Sequence, residues 1–194
     1  MTNGSAKASD PGTERMHGQR DERARQLVAR SGQPVRPALD LGCGRGDTLG
    51  ALGLQGVGID LGMLRLRLAP VPVAQADGAR LPFPDGVFDL IVAMEVFSAV
   101  PAEGHRRVMA AEAVRVLAPD GVVLWYDRRA GSGSRSTRAV SRRDLGQLFP
   151  GATMDVEPIT VIPGLAQAFP RKYDLLHRLS PLRSHLIGII RPRP

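Results

Sequence analysis

A glycine-rich segment near the start of the chain limits the choice of fold more than any other feature of the sequence. Residues 40–46 read Asp-Leu-Gly-Cys-Gly-Arg-Gly, after an apolar run and before a helical stretch. Glycine carries no Cβ and tolerates positive φ, so such a turn can bring its backbone close to a ligand. The N–H groups at the start of the next helix favour a polar or anionic group. Taken alone, the segment also fits a strand–helix turn that binds nothing.

The rest of the chain alternates short apolar runs with helical stretches, which is typical of a parallel sheet with helices on both faces. The predicted strands are 37–41, 56–60, 71–75, 87–94, 121–126, 153–161 and 184–190. The predicted helices are 14–30, 47–54, 62–68, 102–117, 141–148 and a segment near 165–178. In such a sheet ligands bind beyond the carboxyl ends of the strands, so the residues at those ends form the candidate site.

Length and composition fit one domain. The 194 residues, 43% of them hydrophobic, can fill a single core, which we expect over 14–194 after a disordered lead over 1–13. No apolar run approaches the ~20 residues that cross a bilayer and no signal peptide is evident, so we expect a cytoplasmic protein with no membrane partner. The single cysteine, Cys43, excludes an internal disulfide and a multi-cysteine zinc site, and we expect no metal.

Carboxylates mark the ends of the first three predicted strands. Asp40 and Asp47 flank the glycine loop, and Asp47 takes the place of the third glycine of a dinucleotide fingerprint. Two carboxylates there disfavour a pyrophosphate and favour a cofactor that carries positive charge. Asp60 closes the second strand, where it can accept hydrogen bonds from both ribose hydroxyls or cap the next helix. Asp77 follows the third strand, where it can accept a hydrogen bond from an adenine amino group or only close a turn.

With these residues the sequence resembles the class I S-adenosylmethionine-dependent methyltransferases. The resemblance runs from about residue 36 to residue 127 and includes the glycine loop, Gly58-Ile59-Asp60 and Asp77-Gly78-Ala79. It implies a Rossmann-like α/β fold, with a seven-stranded and mainly parallel sheet, an antiparallel last strand and helices on both faces. The implied cofactor is S-adenosylmethionine, with S-adenosylhomocysteine as its product.

The resemblance also implies which residues bind the cofactor. They are Asp40, Gly42, Gly44, Gly46, Asp60, Leu61, Asp77, Gly78, Ala79 and Met94. The residues of the glycine loop would line the methionine side, and Asp60 would bind the ribose. Asp77 and the backbone after it would meet the adenine. Met94 would lie near the sulfonium.

The sequence says less about the acceptor of the methyl group. Amino-methyltransferases of this family carry an Asn/Asp-Pro-Pro-Tyr/Phe motif after the fourth strand, whereas here the run over 93–97 is Ala-Met-Glu-Val-Phe. We therefore expect an oxygen of a small molecule, anionic or carrier-attached, in a setting such as secondary metabolism or antibiotic biosynthesis. Alignment of donor and acceptor supplies most of the catalysis of such a displacement, so the lack of a catalytic motif does not exclude activity.

The candidates for acceptor chemistry lie at the fourth and fifth strand ends and on the first helix. Glu95 and Asp127 are candidate bases at the strand ends, and His17 is a candidate on the helix over 14–32, which we expect to cover the site. The alternatives are a helix cap for Glu95 and a salt bridge to Arg128 or Arg129 for Asp127. Residues 128–183 would complete the acceptor side, and the expected substrate-binding residues are Tyr126, Arg128, Arg135 and Arg138.

Positive charge is concentrated in the last third of the chain. The net charge is +7, but residues 1–127 balance to −1 and residues 128–194 to +8. The excess is either a solvated surface or a binding surface, and an RNA methyltransferase is the alternative function. Against it stand the 4% aromatic content and the lack of an appended RNA-binding module.

Other expectations remain open at this point. A protein that binds the cofactor without turnover is a third interpretation. We expect a monomer or a weak homodimer joined through the apolar run over 186–190. His105 is expected on a helix that packs on the outer side of the sheet.

Overall fold

The computed structural model describes residues 10–32, 37–129 and 138–193. Helix α1 (Pro11–Ser31) begins three residues earlier than the sequence predicts. Asp10 caps it, because its Oδ1 accepts hydrogen bonds from the backbone N–H groups of Gly12 and Thr13 at 3.0 and 3.1 Å. Residues 10–13, expected in a disordered lead, are thus part of this helix and its cap. The remainder of the predicted lead, residues 1–9, lies outside the described residues.

Seven strands form one sheet. Their bounds are β1 Ala38–Leu41, β2 Gly56–Asp60, β3 Val73–Gln75, β4 Phe88–Met94, β5 Leu117–Arg128, β6 Thr153–Val161 and β7 Arg183–Arg191. The spatial order is β3-β2-β1-β4-β5-β7-β6, in which β1 to β5 are parallel and β7 is antiparallel to both of its neighbours. The predicted Rossmann-like fold with an antiparallel last strand is confirmed. Because β7 lies inside the sheet, its apolar run is not a free edge for a homodimer.

Both faces of the sheet are buried, which explains the continuous apolar runs of the central strands. Side chains alternate between the faces. Trp125 packs in the core shared with α4 (Glu103–Val116) and α5 (Arg142–Leu148). Its neighbour Leu124 packs in the core shared with α1 and α2 (Asp47–Leu52). Because both faces are covered, loops and polar side chains lie at the carboxyl ends of the parallel strands.

Two segments differ from the sequence prediction. In place of one helix near 165–178, the chain forms α6 (Pro163–Ala168), a 3-10 turn and α7 (Tyr173–Arg178). Pro170 starts the 3-10 turn, and a proline cannot continue a helix because it has no N–H. Strand β5 begins directly after α4, at Leu117 rather than at residue 121.

Two short features complete the fold. Helix α3 (Met63–Leu66) is a single turn between β2 and β3. Over the ranges that the structure describes, no helix is both long and apolar enough to cross a membrane.

Candidate functional site

The glycine loop connects β1 to α2 through three left-handed residues. Gly42, Gly44 and Gly46 have φ of 71°, 56° and 76°, which side chains disfavour. A Cβ on Gly42 would lie 2.5 Å from Cγ2 of Val96, whereas a Cβ on Gly44 would meet nothing within 4 Å. The loop therefore packs against the chain after β4 at Gly42. It is open at Gly44, where a ligand can approach the backbone.

Asp60, at the end of β2, holds this loop in place. Its Oδ2 accepts a hydrogen bond from the N–H of Gly44 at 3.0 Å, and its Oδ1 accepts one from the N–H of Gly62 at 2.6 Å. A guanidinium nitrogen of Arg65 lies 3.3 Å from Oδ1. Each carboxylate oxygen has a second lone pair, so Asp60 can still accept hydrogen bonds from the hydroxyls of a ligand.

A cavity of about 220 Å³ lies beside the loop, at the carboxyl ends of the first strands. Five of the predicted cofactor-binding residues line it: Gly42, Asp60, Leu61, Asp77 and Gly78. Asp77 is fixed by the backbone, because its Oδ1 accepts a hydrogen bond from the N–H of Ala79 at 2.9 Å. The structure thus brings together the residues that the resemblance assigns to the ribose and the adenine.

His105 lines the same cavity, contrary to its expected place on the outer side of the sheet. Its Nε2 lies 3.1 Å from Oδ1 of Asp77. Helix α4 follows β4 in the chain, so its first turn lies near the carboxyl ends of the strands even though its body packs on a face of the sheet. The position of His105 in that first turn is the signal that the sequence interpretation overlooked.

The sequence interpretation also missed an apolar wall of this cavity. Val96, Ala99 and Val100 supply it from the segment after β4, and Met109 supplies it from α4. The sequence did contain a signal for this wall, because Val96 follows β4, whose carboxyl end is part of the predicted site. An apolar wall opposite Asp60 and Asp77 suits a ligand that is partly aromatic and partly polar.

A second cluster of polar side chains lies where β4 and β5 end. The rings of Tyr126 and His185 stack at 4.9 Å between centroids. His185 is 4% exposed; its Nδ1 lies 2.9 Å from Oγ of Ser184, and its Nε2 lies 3.4 Å from Oε1 of Glu95. The hydroxyls of Tyr126 and Thr160 lie 3.1 Å apart. Strand β7 brings His185 to this cluster, beside Glu95 and Tyr126, which the sequence predicts at these strand ends.

Backbone strain is concentrated in the same cluster. Within the described ranges, Glu95 (φ 56°) and Thr160 (φ 62°) are the residues other than glycine with positive φ. Such a conformation costs about 1–3 kcal/mol, and it persists where the surroundings impose it, commonly at functional sites. The hydrogen bond to His185 also lowers the pKa of Glu95, with a further contribution from the positive charge of Arg128. Glu95 is therefore ionised at neutral pH.

Asp127 is held by the backbone. It is 1% exposed; its Oδ2 accepts a hydrogen bond from the N–H of Ser98 at 2.9 Å, and its Oδ1 accepts one from the N–H of Arg128 at 2.8 Å. Burial raises the pKa of this carboxyl. These contacts indicate that Asp127 joins the segment after β4 to β5. Neither contact is the salt bridge to an arginine side chain that the sequence offered as the alternative.

Replacing Asp127 by alanine is expected to destabilise the protein without impairing cofactor binding. The change leaves the buried N–H of Ser98 and the partly buried N–H of Arg128 without their acceptor, which costs about 1–3 kcal/mol in the free energy of unfolding. Denaturant titration checks this, with Asp155→Ala as an exposed carboxylate control. A variant of unchanged stability that has lost methyl transfer would instead support the catalytic role expected from the sequence.

Helix α1 directs Arg20, and not His17, toward the strands. His17 is exposed, whereas the guanidinium carbon of Arg20 lies 5.7 Å from the centroid of the Tyr126 ring. The spacing of Arg20 from Met16 and Ala24, both buried, is the signal that could have identified it. The role of His17 as a base stays a prediction that no contact in the described chain supports.

The expected substrate-binding arginines differ in their surroundings. Arg128 lies 3.5 Å from Glu95, at the polar cluster. Arg138 is half-exposed and pairs with Glu103 at 3.6 Å. Arg135 lies outside the described residues. Of the three, Arg128 is the one that the described structure brings to the strand ends.

Asp40, at the end of β1, is the most unusual carboxylate of the site. It is 2% exposed, and its Oδ2 has no hydrogen-bond partner. Burial, together with the nearby charge of Asp60, raises its pKa to about 7, although Thr48 and Arg20 act in the opposite direction. A buried carboxylate that has one oxygen without a partner, next to an open glycine loop, fits a ligand with a positive group.

These features define a class of protein. A parallel sheet with the order 3-2-1-4-5 and an antiparallel β7, a glycine loop after β1 and a carboxylate at the end of β2 form a Rossmann-like domain that binds an adenosine-containing cofactor. The buried Asp40 adds the preference for a cofactor with a cationic part.

Comparisons with known proteins agree with this description. The family described as "methyltransferase domain" matches residues 39–125. A protein of Pyrococcus horikoshii has a similar structure (TM-score 0.68, 15% identity, 91% of both chains), as does an S-adenosylmethionine-dependent methyltransferase of Archaeoglobus fulgidus (TM-score 0.67, 14% identity, 92% of this chain and 96% of that one). The 4+2 cyclase SpnF is also similar in structure (TM-score 0.67, 18% identity, 89% of this chain and 80% of that one). No curated protein sequence matches.

Residues 39–125 thus match the methyltransferase-domain family, and the fold is that of class I S-adenosylmethionine-dependent methyltransferases. Its cofactor is S-adenosylmethionine, and the residues of the site fit that molecule. The cavity beside Asp60 and Asp77 suits the adenosine, and the unpaired Oδ2 of Asp40 suits a cationic part of the methionine.

The raised pKa of Asp40 predicts that cofactor binding depends on pH. Below pH 7 the carboxyl is mainly protonated and cannot pair with an ammonium group; above pH 7 it is ionised. We expect the Kd of S-adenosylhomocysteine to be about tenfold higher at pH 6 than at pH 8, following the ionised fraction. Calorimetric titration checks this, and Asp40→Asn should remove the dependence. A wild-type Kd that is constant between these values would contradict the assignment.

Proposed function

We propose that the protein transfers the methyl group of S-adenosylmethionine to a hydroxyl oxygen of a small molecule, one of secondary metabolism, bound where β4 and β5 end beneath α1. The observation that carries the proposal is the ionised Glu95, held at the end of β4 by the buried His185. Strand β4 is also the neighbour of β1, which carries the glycine loop. Glu95 is thus next to the strand on which the cofactor lies.

The polar cluster contains the chemical groups that methyl transfer to oxygen requires. Bound S-adenosylmethionine supplies an electrophilic methyl group on its sulfonium. Glu95 accepts a hydrogen bond from the acceptor hydroxyl, which directs an oxygen lone pair toward the methyl group. As the acceptor oxygen takes the methyl group that the sulfonium would supply, leaving neutral S-adenosylhomocysteine, Glu95 would receive the hydroxyl proton. His185 and Arg128 keep the carboxylate in position.

The charges around the cluster favour an acceptor with an anionic part. Arg20 and Arg128 both approach the cluster, and guanidinium groups bind carboxylates and phosphates well. Two other arginines of the basic last third form contacts within the fold: Arg138 pairs with Glu103, and Arg183 donates to the carbonyls of His177 and Pro158. Because these arginines form contacts within the protein, the basic last third favours a small-molecule acceptor over RNA.

A labelled methyl donor tests the proposal. The protein is incubated with the donor and with separate pools of hydroxylated, carboxylated and phosphorylated small molecules and of total RNA. We expect label in a methyl ether of one or more hydroxylated compounds, identified by mass spectrometry. Label in RNA alone would replace the proposal by the RNA alternative. Tight binding of S-adenosylhomocysteine with no label in any pool would support binding without turnover.

A further inference from the structure

A second cavity, of about 390 Å³, lies between α1, β6 and α7. The described residues that line it belong to these three elements and to the first position of β7, and most of them are polar or charged. None of them lines the cavity beside Asp60 or belongs to the polar cluster around Glu95 and His185. Neither the cofactor nor the proposed methyl transfer therefore uses this cavity.

Arg183 brings a positive charge to the cavity that no carboxylate neutralises. Its Nε donates a hydrogen bond to the carbonyl of His177 at 2.7 Å, and its Nη1 donates one to the carbonyl of Pro158 at 3.2 Å. Both acceptors are neutral. In the part of the chain that the structure describes, Arg183 forms no ion pair and its Nη2 forms no hydrogen bond. Two hydrogen bonds thus hold the guanidinium in place, and its third nitrogen is free to donate.

The two carboxylates of the lining already have partners among the side chains of α1. The oxygens of Glu22 accept hydrogen bonds from Arg25 and from Gln26, both at 2.9 Å. Glu157 pairs with Arg23 through its Oε1. Its Oε2 can still accept a hydrogen bond, for example from a hydroxyl. The charge that is left over in the lining is therefore positive.

Gln19 adds a second free donor to the cavity. Its Oε1 accepts a hydrogen bond from the hydroxyl of Tyr173 at 2.7 Å, whereas its amide nitrogen has no partner among the described residues. The ring of His177 adds no charge, because burial and the positive charge of Arg183 lower its pKa and leave it neutral at pH 7. The cavity therefore offers one unneutralised cation and one free amide donor.

An anion that also carries hydroxyl groups matches these donors and acceptors. We propose that the cavity binds a hydrophilic organic anion, a sugar acid or a sugar phosphate, whose anionic group pairs with Arg183 and Gln19 and whose hydroxyls bond to Glu157. Guanidinium groups bind both carboxylates and phosphates. The volume of the cavity lies in the usual range of small-molecule sites, about 300–1,000 Å³. This ligand is neither the cofactor nor the methyl acceptor, and its site does not depend on the proposed function.

Three probes of similar size test the proposal by calorimetric titration. Glucose 6-phosphate and gluconate carry the two kinds of anionic group, whereas glucose has hydroxyls without a charge. We expect wild type to bind at least one of the anions with a Kd below about 1 mM, and glucose at least about tenfold more weakly, because hydrogen bonds to charged groups are the stronger ones. The tighter anion identifies the preferred group. Saturating S-adenosylhomocysteine should leave that Kd unchanged, since the two cavities share no described lining residue.

A change of charge at Gln19 locates the site. Gln19→Glu keeps the oxygen that Tyr173 bonds but replaces the free donor by a negative charge, so the Kd of the anion should rise about 10- to 100-fold. Gln167→Glu makes the same change at an exposed position of α6, and it should bind and unfold as wild type does. Arg183→Met should lose as much affinity as Gln19→Glu, and Arg183→Lys should recover part of it. A thermal unfolding temperature of Gln19→Glu equal to that of Gln167→Glu shows that the fold is intact.

Three results would overturn the proposal. A Kd above about 1 mM for both anions, or equal affinity for glucose, would mean that the cavity has no anion site. An unchanged Kd in Gln19→Glu and Arg183→Met would place the bound anion outside this cavity. A loss of affinity in Arg128→Met alone would place it at the polar cluster, as a mimic of the methyl acceptor.

Discussion

Replacing Asp60 by alanine is expected to weaken the binding of S-adenosylhomocysteine about 100- to 1,000-fold. The side chain has two functions at once. It accepts hydrogen bonds from the N–H groups of Gly44 and Gly62, which shape the glycine loop and the turn before α3. It also lines the adenosine cavity, where it can accept hydrogen bonds from the ribose hydroxyls. Two charge-assisted hydrogen bonds at about 1.5–2 kcal/mol each, the lower part of their usual range, account for the expected loss.

Calorimetric titration measures this effect, and two further variants show its origin. Asp120→Ala removes an exposed carboxylate near the opposite ends of the strands, so its affinity should equal that of wild type. Asp60→Asn keeps one oxygen acceptor, and its affinity should fall between those of wild type and the alanine variant. An analogue of S-adenosylhomocysteine without the ribose hydroxyls should bind wild type and Asp60→Asn almost equally. Strong discrimination against Asp60→Asn by that analogue would show that Asp60 acts through the loop and not through the ribose.

The sequence predicts the cofactor half of the site well because its signals are local. Glycine at positions 42, 44 and 46 reports left-handed backbone directly. An apolar run that ends in Asp60 predicts both a strand and the position of its carboxyl end. Since the carboxyl ends of parallel strands meet at one edge of a sheet, fixing the strands was enough to bring Asp60 and Asp77 to one cavity.

The acceptor half depends on contacts that no local pattern contains. His185 reaches Glu95 only because β7 enters the sheet beside β5, and the sequence of β7 reads as any buried strand. The positive φ of Glu95 and Thr160 follows from this packing, because neither residue type favours that conformation. Asp127 is a second example, since its contacts with the backbone N–H groups of Ser98 and Arg128 could not be read from its place at a strand end, and its catalytic role stays a prediction.

Glu95→Gln is expected to lower kcat for methyl transfer about 100-fold or more, once an acceptor has been identified by the labelling screen. Glutamine keeps the shape of the side chain but cannot receive the hydroxyl proton, and a positioned base typically contributes 10²–10⁴-fold. The affinity for S-adenosylhomocysteine should stay within twofold of wild type, because Glu95 is not among the residues that line the adenosine cavity. Steady-state rates at saturating donor, together with calorimetry, measure both quantities.

The controls for Glu95 separate proton transfer from the support of the strained turn. Glu22→Gln, on the exposed surface of α1, should retain full activity. Glu95→Asp keeps a carboxylate but draws it back by one methylene from His185, so its kcat should lie between those of wild type and Glu95→Gln. If Glu95→Gln retained the wild-type kcat, alignment of donor and acceptor alone would drive the reaction. The ionised Glu95 beside His185 would then serve to hold the ends of β4 and β7 together.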